Sequence, residues 1–151
     1  MENMDSAQAQ RVWQRVRGTA PAETDEKILQ DLIAQEWEAA AVYLQLSKRC
    51  GGKESAVLYR LFQQEHAHCA CLRGIYTMIT GERPKLPTVQ PGREPLDAAL
   101  RSCYGREMRF LRTYEERSED PNFGHVFMHI RDQEQEHCRV LLELIGGLRK
   151  K

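Results

Sequence analysis

Apolar residues recur every three or four positions through most of the chain, and no convincing segment alternates between apolar and polar residues. Because this is the spacing of one helix face, the pattern predicts α-helices rather than strands. Breaks containing proline and glycine divide the pattern into one short and four long segments. We therefore predict an all-α chain with helices at about 6–17, 25–50, 53–80 and 95–118, and from about 122 to Gly146-Gly147.

The segment between the second and third long helices contains prolines at positions 84, 87, 91 and 95, so it cannot be helical throughout. An extended chain of about 15 residues spans about 50 Å, whereas a helix of about 24 residues is about 36 Å long. The segment can therefore run the full length of a bundle. This predicts an antiparallel four-helix bundle over 24–151 with one long crossover, preceded by an N-terminal helix and linker over 1–23.

Each long helix has an apolar stripe that is interrupted near its middle by a glutamate. In the second long helix the predicted core stripe runs from Leu58 to Ile79, and a glutamate and a histidine three residues later interrupt it. The fourth long helix has the same pair, while the first and third have the glutamate alone. The six interrupting residues are Glu36, Glu65, His68, Glu107, Glu134 and His137.

Charged residues in an apolar stripe need a partner inside the bundle. Residues three apart on a helix share a face, so each Glu-x-x-His pair directs a carboxylate and an imidazole into the interior. An unpaired buried carboxylate is costly, and four together repel one another. Two divalent cations balance four carboxylates, and carboxylate and imidazole ligands suit iron or manganese. The pattern therefore predicts a site for two metal ions.

The interrupting residues form an internal repeat. Glu36, Glu65 and His68 recur 69 to 71 residues later as the other three. A single Glu-x-x-His is weak evidence, but two copies, each preceded by a stripe-breaking glutamate, are typical of two hairpins that build one near two-fold site. Tyr43 and Tyr114 each lie seven residues after the first glutamate of a copy. They are either ordinary core aromatics or groups that hydrogen-bond a ligand carboxylate.

Composition narrows the range of partners. The chain has 22 basic and 22 acidic residues, so nothing indicates nucleic acid or an anionic membrane as a partner. No apolar run approaches the roughly 20 residues of a membrane-spanning helix, and the N-terminus lacks the apolar segment of a secretory signal. The five cysteines are an odd number and include no Cys-x-x-Cys motif. We therefore expect free thiols and a cytoplasmic protein.

At these six positions, and at Tyr43, the sequence over about 25–148 resembles the rubrerythrin branch of the ferritin-like proteins. The resemblance implies a ferritin-like antiparallel four-helix bundle with a carboxylate-bridged pair of iron ions, which manganese or zinc can replace in a purified protein. It also implies that Glu65 and Glu134 bridge both ions. The remaining four are implied to be terminal ligands, namely Glu36, Glu107, His68 and His137.

Members of that family reduce hydrogen peroxide or oxidise Fe(II), so the resemblance implies a di-iron peroxidase or oxidase. The implied partners are peroxide or dioxygen and an external electron donor, either rubredoxin-like or a flavoprotein. We also expect a homodimer.

The chain departs from the rubrerythrin pattern in two respects. It contains no rubredoxin-like Cys-x-x-Cys motifs, and Tyr104 stands where rubrerythrins carry an extra glutamate that takes part in an iron shift. Without that glutamate, we expect His68 to remain a ligand in both redox states. The site then resembles the plainer ferritin-like pattern.

Other functions fit the same scaffold. The main alternative is iron handling by ferroxidation, and iron storage in particular needs a cage of many subunits. A hydroxylase, a manganese catalase and a non-catalytic bundle with a zinc-filled or vestigial site complete the range.

Overall fold

The computed structural model describes residues 24–149, and the described part of the chain is all-helical. Its four helices are α1 (Glu26–Arg49), α2 (Gly52–Thr80), α3 (Leu96–Arg117) and α4 (Gly124–Arg149). The prediction of an all-α chain with four long helices is therefore confirmed. The predicted N-terminal helix near 6–17 lies outside the described residues.

Local sequence explains where the first two helices begin and end. Asp25 is the N-cap of α1, and its side chain accepts a hydrogen bond from the backbone N–H of Ile28, which satisfies one of the free donors of the first turn. Gly81 ends α2 with a φ of 71°, a left-handed conformation that glycine adopts without steric cost.

The predicted end of α4 at Gly146-Gly147 is wrong, because the helix continues through both glycines to Arg149. Glycine lowers helix stability by about 1 kcal/mol without forbidding the helical conformation. Ile145 and Leu148, on either side of the pair, both pack against the core. Their burial favours an extra turn that local propensity alone disfavours.

The helices pack as two hairpins, α1 with α2 and α3 with α4. The hairpins meet where α1 approaches α3 and α2 approaches α4. Tyr43 on α1 contacts Glu107 on α3, and Tyr114 on α3 contacts Glu36 on α1. The later residue on α1, Tyr43, contacts the earlier residue on α3, and the earlier residue on α1 contacts the later one on α3. The two helices therefore run antiparallel in a four-helix bundle.

Residues 81–95 connect the hairpins and follow α1 from its start toward its end. Gln30 exchanges two hydrogen bonds with the backbone of Lys85, and the Trp37 indole donates to the carbonyl of Pro87 over 3.1 Å. The backbone N–H of Gly92 then donates to Gln45. The connection therefore runs along the bundle, as the reach of its extended chain allows.

The core consists of apolar layers above and below the middle of the bundle. Leu29, Leu58, Leu72 and Leu141 are each at most 1 % exposed. The prediction that Ile79 belongs to this core is wrong, because its side chain is 47 % exposed. Ile75 and Tyr76 supply the last buried positions of α2, so Ile79 lies one turn beyond the packed layers. None of the described helices is long and apolar enough to cross a membrane.

Asp120 ties the α3–α4 turn to the start of α1. Its buried carboxylate accepts hydrogen bonds from the backbone N–H groups of Thr24, Asn122 and Phe123, each over 2.8 Å. Burial alone would raise the pKa of Asp120, but hydrogen bonds from Thr24, Phe123 and Asn122 outweigh it and hold the pKa below its ordinary value. The charged form therefore stabilises the fold.

We predict that Asp120→Asn lowers the free energy of unfolding at neutral pH by about 1–2 kcal/mol. Because the folded-state pKa is depressed, this contribution is complete above the unfolded-state pKa and is lost as the pH falls through the folded-state pKa. Urea unfolding of wild type and variant at neutral and successively more acidic pH should therefore show a difference that shrinks toward acid. Glu119→Gln, at the exposed neighbour, is the matched control, and a difference that does not depend on pH would contradict the assignment.

Candidate metal centre

The six side chains that interrupt the apolar stripes converge in the interior of the bundle. All four glutamates are 0 % exposed, and the two histidines are at most 4 % exposed. Each hairpin contributes one lone glutamate and one Glu-x-x-His pair. The residues are Glu36, Glu65 and His68 from α1 and α2, and Glu107, Glu134 and His137 from α3 and α4.

These side chains form two overlapping groups, each of which can hold a metal ion. One consists of Glu36, Glu65, His68 and Glu134, and the other of Glu65, Glu107, Glu134 and His137. Within each group, one ligand atom from every residue lies within 4.8 Å of the others. The groups share Glu65 and Glu134, so these two carboxylates lie between the two candidate positions.

The same ring atom of both histidines faces the carboxylates. Nδ1 of His68 lies 2.9 Å from Glu134, 3.5 Å from Glu65 and 3.7 Å from Glu36. Nδ1 of His137 has a matching set of distances, which are 2.8 Å to Glu65, 3.6 Å to Glu134 and 3.8 Å to Glu107. The two halves of the site are therefore nearly equivalent.

Most ligand atoms of the cluster have no hydrogen-bond partner. Both carboxylate oxygens of Glu65 and of Glu134 are buried without one, and the same holds for Nδ1 of both histidines. Buried polar atoms are normally satisfied, because leaving them unpaired is costly. Oxygen and imidazole nitrogen atoms that converge without partners are what a bound cation requires, so these residues fit a metal ion.

Two buried tyrosines hold the carboxylates that belong to one group each. The Tyr43 hydroxyl on α1 donates to Glu107 on α3 over 2.5 Å, and the Tyr114 hydroxyl on α3 donates to Glu36 on α1 over 2.7 Å. Both rings are also part of the core. The two interpretations of these tyrosines therefore apply together, and each hydroxyl restrains a carboxylate of the opposite hairpin.

Burial and the surrounding carboxylates act on the histidines in opposite directions. Burial alone would lower the pKa of His137, but the close carboxylates of Glu107, Glu134 and Glu65 overcome it and raise the pKa to about 12. The pKa of His68 is also raised, because the close carboxylates of Glu134, Glu36 and Glu65 outweigh burial. Without a metal, protons on the imidazoles therefore supply positive charge to the cluster.

The pKa values of the carboxyl groups are shifted in both directions. Burial, followed by the charge of Glu65, raises the pKa of Glu36 well above its ordinary value. Burial and neighbouring carboxylates do the same to the pKa of Glu134. Burial would raise the pKa of Glu65 too, but the close imidazoles of His137 and His68 lower it overall. A metal ion competes with these protons for the same ligand atoms.

Sequence reasoning missed two glutamines beside the cluster. Gln64 lies 2.7 Å from Nε2 of His137, and Gln133 contacts Nε2 of His68. Each glutamine directly precedes the glutamate of a Glu-x-x-His pair, so the repeated unit is Gln-Glu-x-x-His. This repetition is the feature of the sequence from which the two glutamines could have been identified.

Other polar residues lie outside the cluster. His66, His125 and His129 are exposed. None of the five cysteines, all of which lie within the described residues, forms a disulfide, as expected. Cys103 is buried one turn before Glu107, and its sulfur accepts a hydrogen bond from Arg106 over 3.4 Å.

No model of a known protein family matches the chain, and no curated protein matches it significantly.

We predict that divalent zinc stabilises the metal-free protein, and that the size of this effect depends on which glutamate is replaced. A ligand present at about 100 times its Kd adds about 2.7 kcal/mol of stability per site. Glu134 belongs to both groups and Glu107 to one. Glu134→Gln should therefore lose most of the zinc-induced increase in Tm, while Glu107→Gln should retain part of it. Calorimetry with and without zinc measures both.

Glu136→Gln is the matched control, because this exposed residue lies on the same helix and pairs with Arg139 at the surface. Its zinc-induced increase in Tm should equal that of the wild type. Equal losses in Glu136→Gln and Glu134→Gln would show that zinc binds at the surface.

Proposed function

We propose that the chain is a ferritin-like di-iron carboxylate protein of rubrerythrin type, which reduces hydrogen peroxide or dioxygen with electrons from an external donor. The observation that carries this proposal is the pair of buried four-residue groups that share Glu65 and Glu134. Two ions at these positions would balance the four carboxylates, and the shared glutamates would serve both. Glu36 and His68 would complete one set of ligands, and Glu107 and His137 the other.

The donor set favours iron or manganese over softer metals. The two groups contain carboxylates and imidazoles and no thiolate, and hard oxygen ligands suit these ions. Two bound ferrous ions would supply the two electrons that, with two protons, convert hydrogen peroxide into two molecules of water.

The protein's own residues contribute positioning and exclusion of water. Tyr43 and Tyr114 hold the two terminal carboxylates by hydrogen bonds. Carboxylates that are held in place would need to reorganise less when the charge of the bound ions changes. Leu61 and Ile130, each 1 % exposed, lie one turn before the Glu-x-x-His pairs. Such apolar layers limit access of water to the carboxylates, which strengthens their interaction with a cation.

A small cavity lies beside the part of the bundle that holds Tyr43 and Glu107, and the six clustered residues are not among its lining residues. It has a volume of about 140 Å³ and lies between α1, the crossover and α3, and Cys103 and Arg106 are among its lining residues. The Arg106 guanidinium lies 5.7 Å from the centre of the Tyr43 ring, whose hydroxyl donates to Glu107. A volume of this size would hold hydrogen peroxide or dioxygen.

Ferroxidation and iron handling without peroxidase turnover is the second candidate. Tyr104 favours it, because this residue is partly buried on α3 where rubrerythrins have an extra glutamate. The two functions differ in their assembly and in their turnover. Size-exclusion chromatography that shows a large cage would support storage, whereas a dimer would exclude it.

We predict that anaerobic, iron-loaded, reduced protein is oxidised by hydrogen peroxide with one peroxide consumed for every two ferrous ions. The reason is that the two groups lie together and each ion gives one electron. Stopped-flow absorbance after mixing with peroxide measures this, and Mössbauer spectroscopy counts the ferric ions. Sustained peroxide consumption with a chemical reductant would favour the peroxidase over the ferroxidase.

Glu134→Leu should abolish rapid oxidation, because it removes a carboxylate common to both groups. Glu136→Gln should react at the wild-type rate. Peroxide that leaves the reduced wild-type protein unoxidised would remove the proposal of a peroxidase.

A further inference from the structure

Gln64 and Gln133 are polar side chains that the proposed function has not yet used. Gln64 on α2 contacts Nε2 of His137 on α4 over 2.7 Å, and Gln133 on α4 contacts Nε2 of His68 on α2. Each glutamine therefore contacts the clustered histidine of the opposite hairpin. Both side chains are half-buried beside the cluster.

These contacts determine which nitrogen keeps its hydrogen when each imidazole is neutral, as it is when it binds a metal ion. The atom that faces each histidine is the glutamine amide oxygen, Oε1. An amide oxygen only accepts hydrogen bonds, so Nε2 of the histidine donates. A neutral imidazole has a single N–H, which leaves the lone pair of Nδ1 directed at the carboxylates. That is the tautomer in which Nδ1 can bind a metal ion.

A further contact supports the orientation of one amide. The amide nitrogen of Gln133 lies 3.4 Å from Nε2 of His129. Since an amide nitrogen donates and an imidazole nitrogen accepts, this contact keeps the amide oxygen turned toward His68.

We propose that Gln64 and Gln133 are positioning residues that hold His137 and His68 in the tautomer that presents Nδ1 to the metal ions. Because their amides are neutral, they also leave the imidazoles as neutral ligands. A carboxylate at either position would draw the Nε2 proton and make the imidazole a stronger donor, which favours ferric over ferrous iron. The inference rests on the metal site of the proposed function, and it explains why an uncharged residue occupies both positions.

The crossed arrangement gives a sharp test with zinc, which needs no redox chemistry. In zinc-loaded wild type labelled with ¹⁵N-histidine, NMR should show both ligand histidines with hydrogen on Nε2. Gln64→Leu should lower zinc affinity by about 10- to 100-fold and perturb the signals of His137 while leaving those of His68 unchanged. Gln133→Leu should produce the mirror-image result.

The chain offers matched controls beside each glutamine. Gln63 and Gln135 are exposed neighbours on the same two helices, so Gln63→Leu and Gln135→Leu should leave zinc affinity and both histidine spectra unchanged. Circular dichroism establishes that every variant is folded.

The conservative variants separate positioning from packing. Gln64→Glu and Gln133→Glu keep the acceptor and nearly the same shape, so zinc binding should recover relative to the leucine variants. The Nε2 proton should move downfield, because its hydrogen bond becomes charge-assisted. In the iron-loaded protein, the same variants should lower the reduction potential. If a leucine variant does not fold, these measurements on the glutamate variants still test the positioning role.

The outcomes distinguish this inference from the proposed function. Expected zinc results combined with no reaction between ferrous protein and peroxide would uphold the positioning role and remove the peroxidase. Leucine variants that bind zinc as tightly as wild type, or ligand histidines with hydrogen on Nδ1, would overturn the positioning role. Wild type that binds no divalent metal would overturn both.

Discussion

The fold must accommodate four carboxylates in an interior that excludes water, and this constraint organises the rest of the bundle. Glu36, Glu65, Glu107 and Glu134 are all 0 % exposed, and ionised carboxylates in such a place repel one another and lose their hydration. Protons can offset the charge, as the raised pKa of Glu36 indicates. Protons leave the remaining lone pairs of the carboxylate oxygens without a partner, whereas one cation interacts with several of these lone pairs at once.

The polar contacts around these carboxylates also join the two hairpins. Tyr43 and Tyr114 link α1 to α3, and Gln64 and Gln133 link α2 to α4. Each contact places a donor on one hairpin and an acceptor on the other. Apolar packing is non-directional and tolerates small shifts between helices, but hydrogen bonds fix distance and angle. The same bonds that orient the cluster therefore also set the register in which the hairpins meet.

The sequence predicts the bundle and its charged interior well, because both follow from periodicity. A glutamate such as Glu65 stands out when its neighbours on the stripe are apolar. Gln64 does not stand out, because it lies off the stripe and only the three-dimensional approach of α4 gives it a partner. The errors at Ile79 and Gly146 have a related cause. How far a core extends along a helix depends on neighbouring elements, which local patterns do not specify.

Burying four carboxylates together lowers the stability of the fold. A core of leucines at the same positions would bury no charge and need no partner, so the metal-free protein is less stable than its apolar layers alone would make it. Metal ions bound to the folded state alone would recover that stability by mass action. His137 would then release the proton from Nδ1, which would make that atom available as a ligand. In the proposed site, metal binding, protonation and folding would therefore form one coupled equilibrium, and the neutral Gln64 amide would let the imidazole lose that proton without adding a further buried charge.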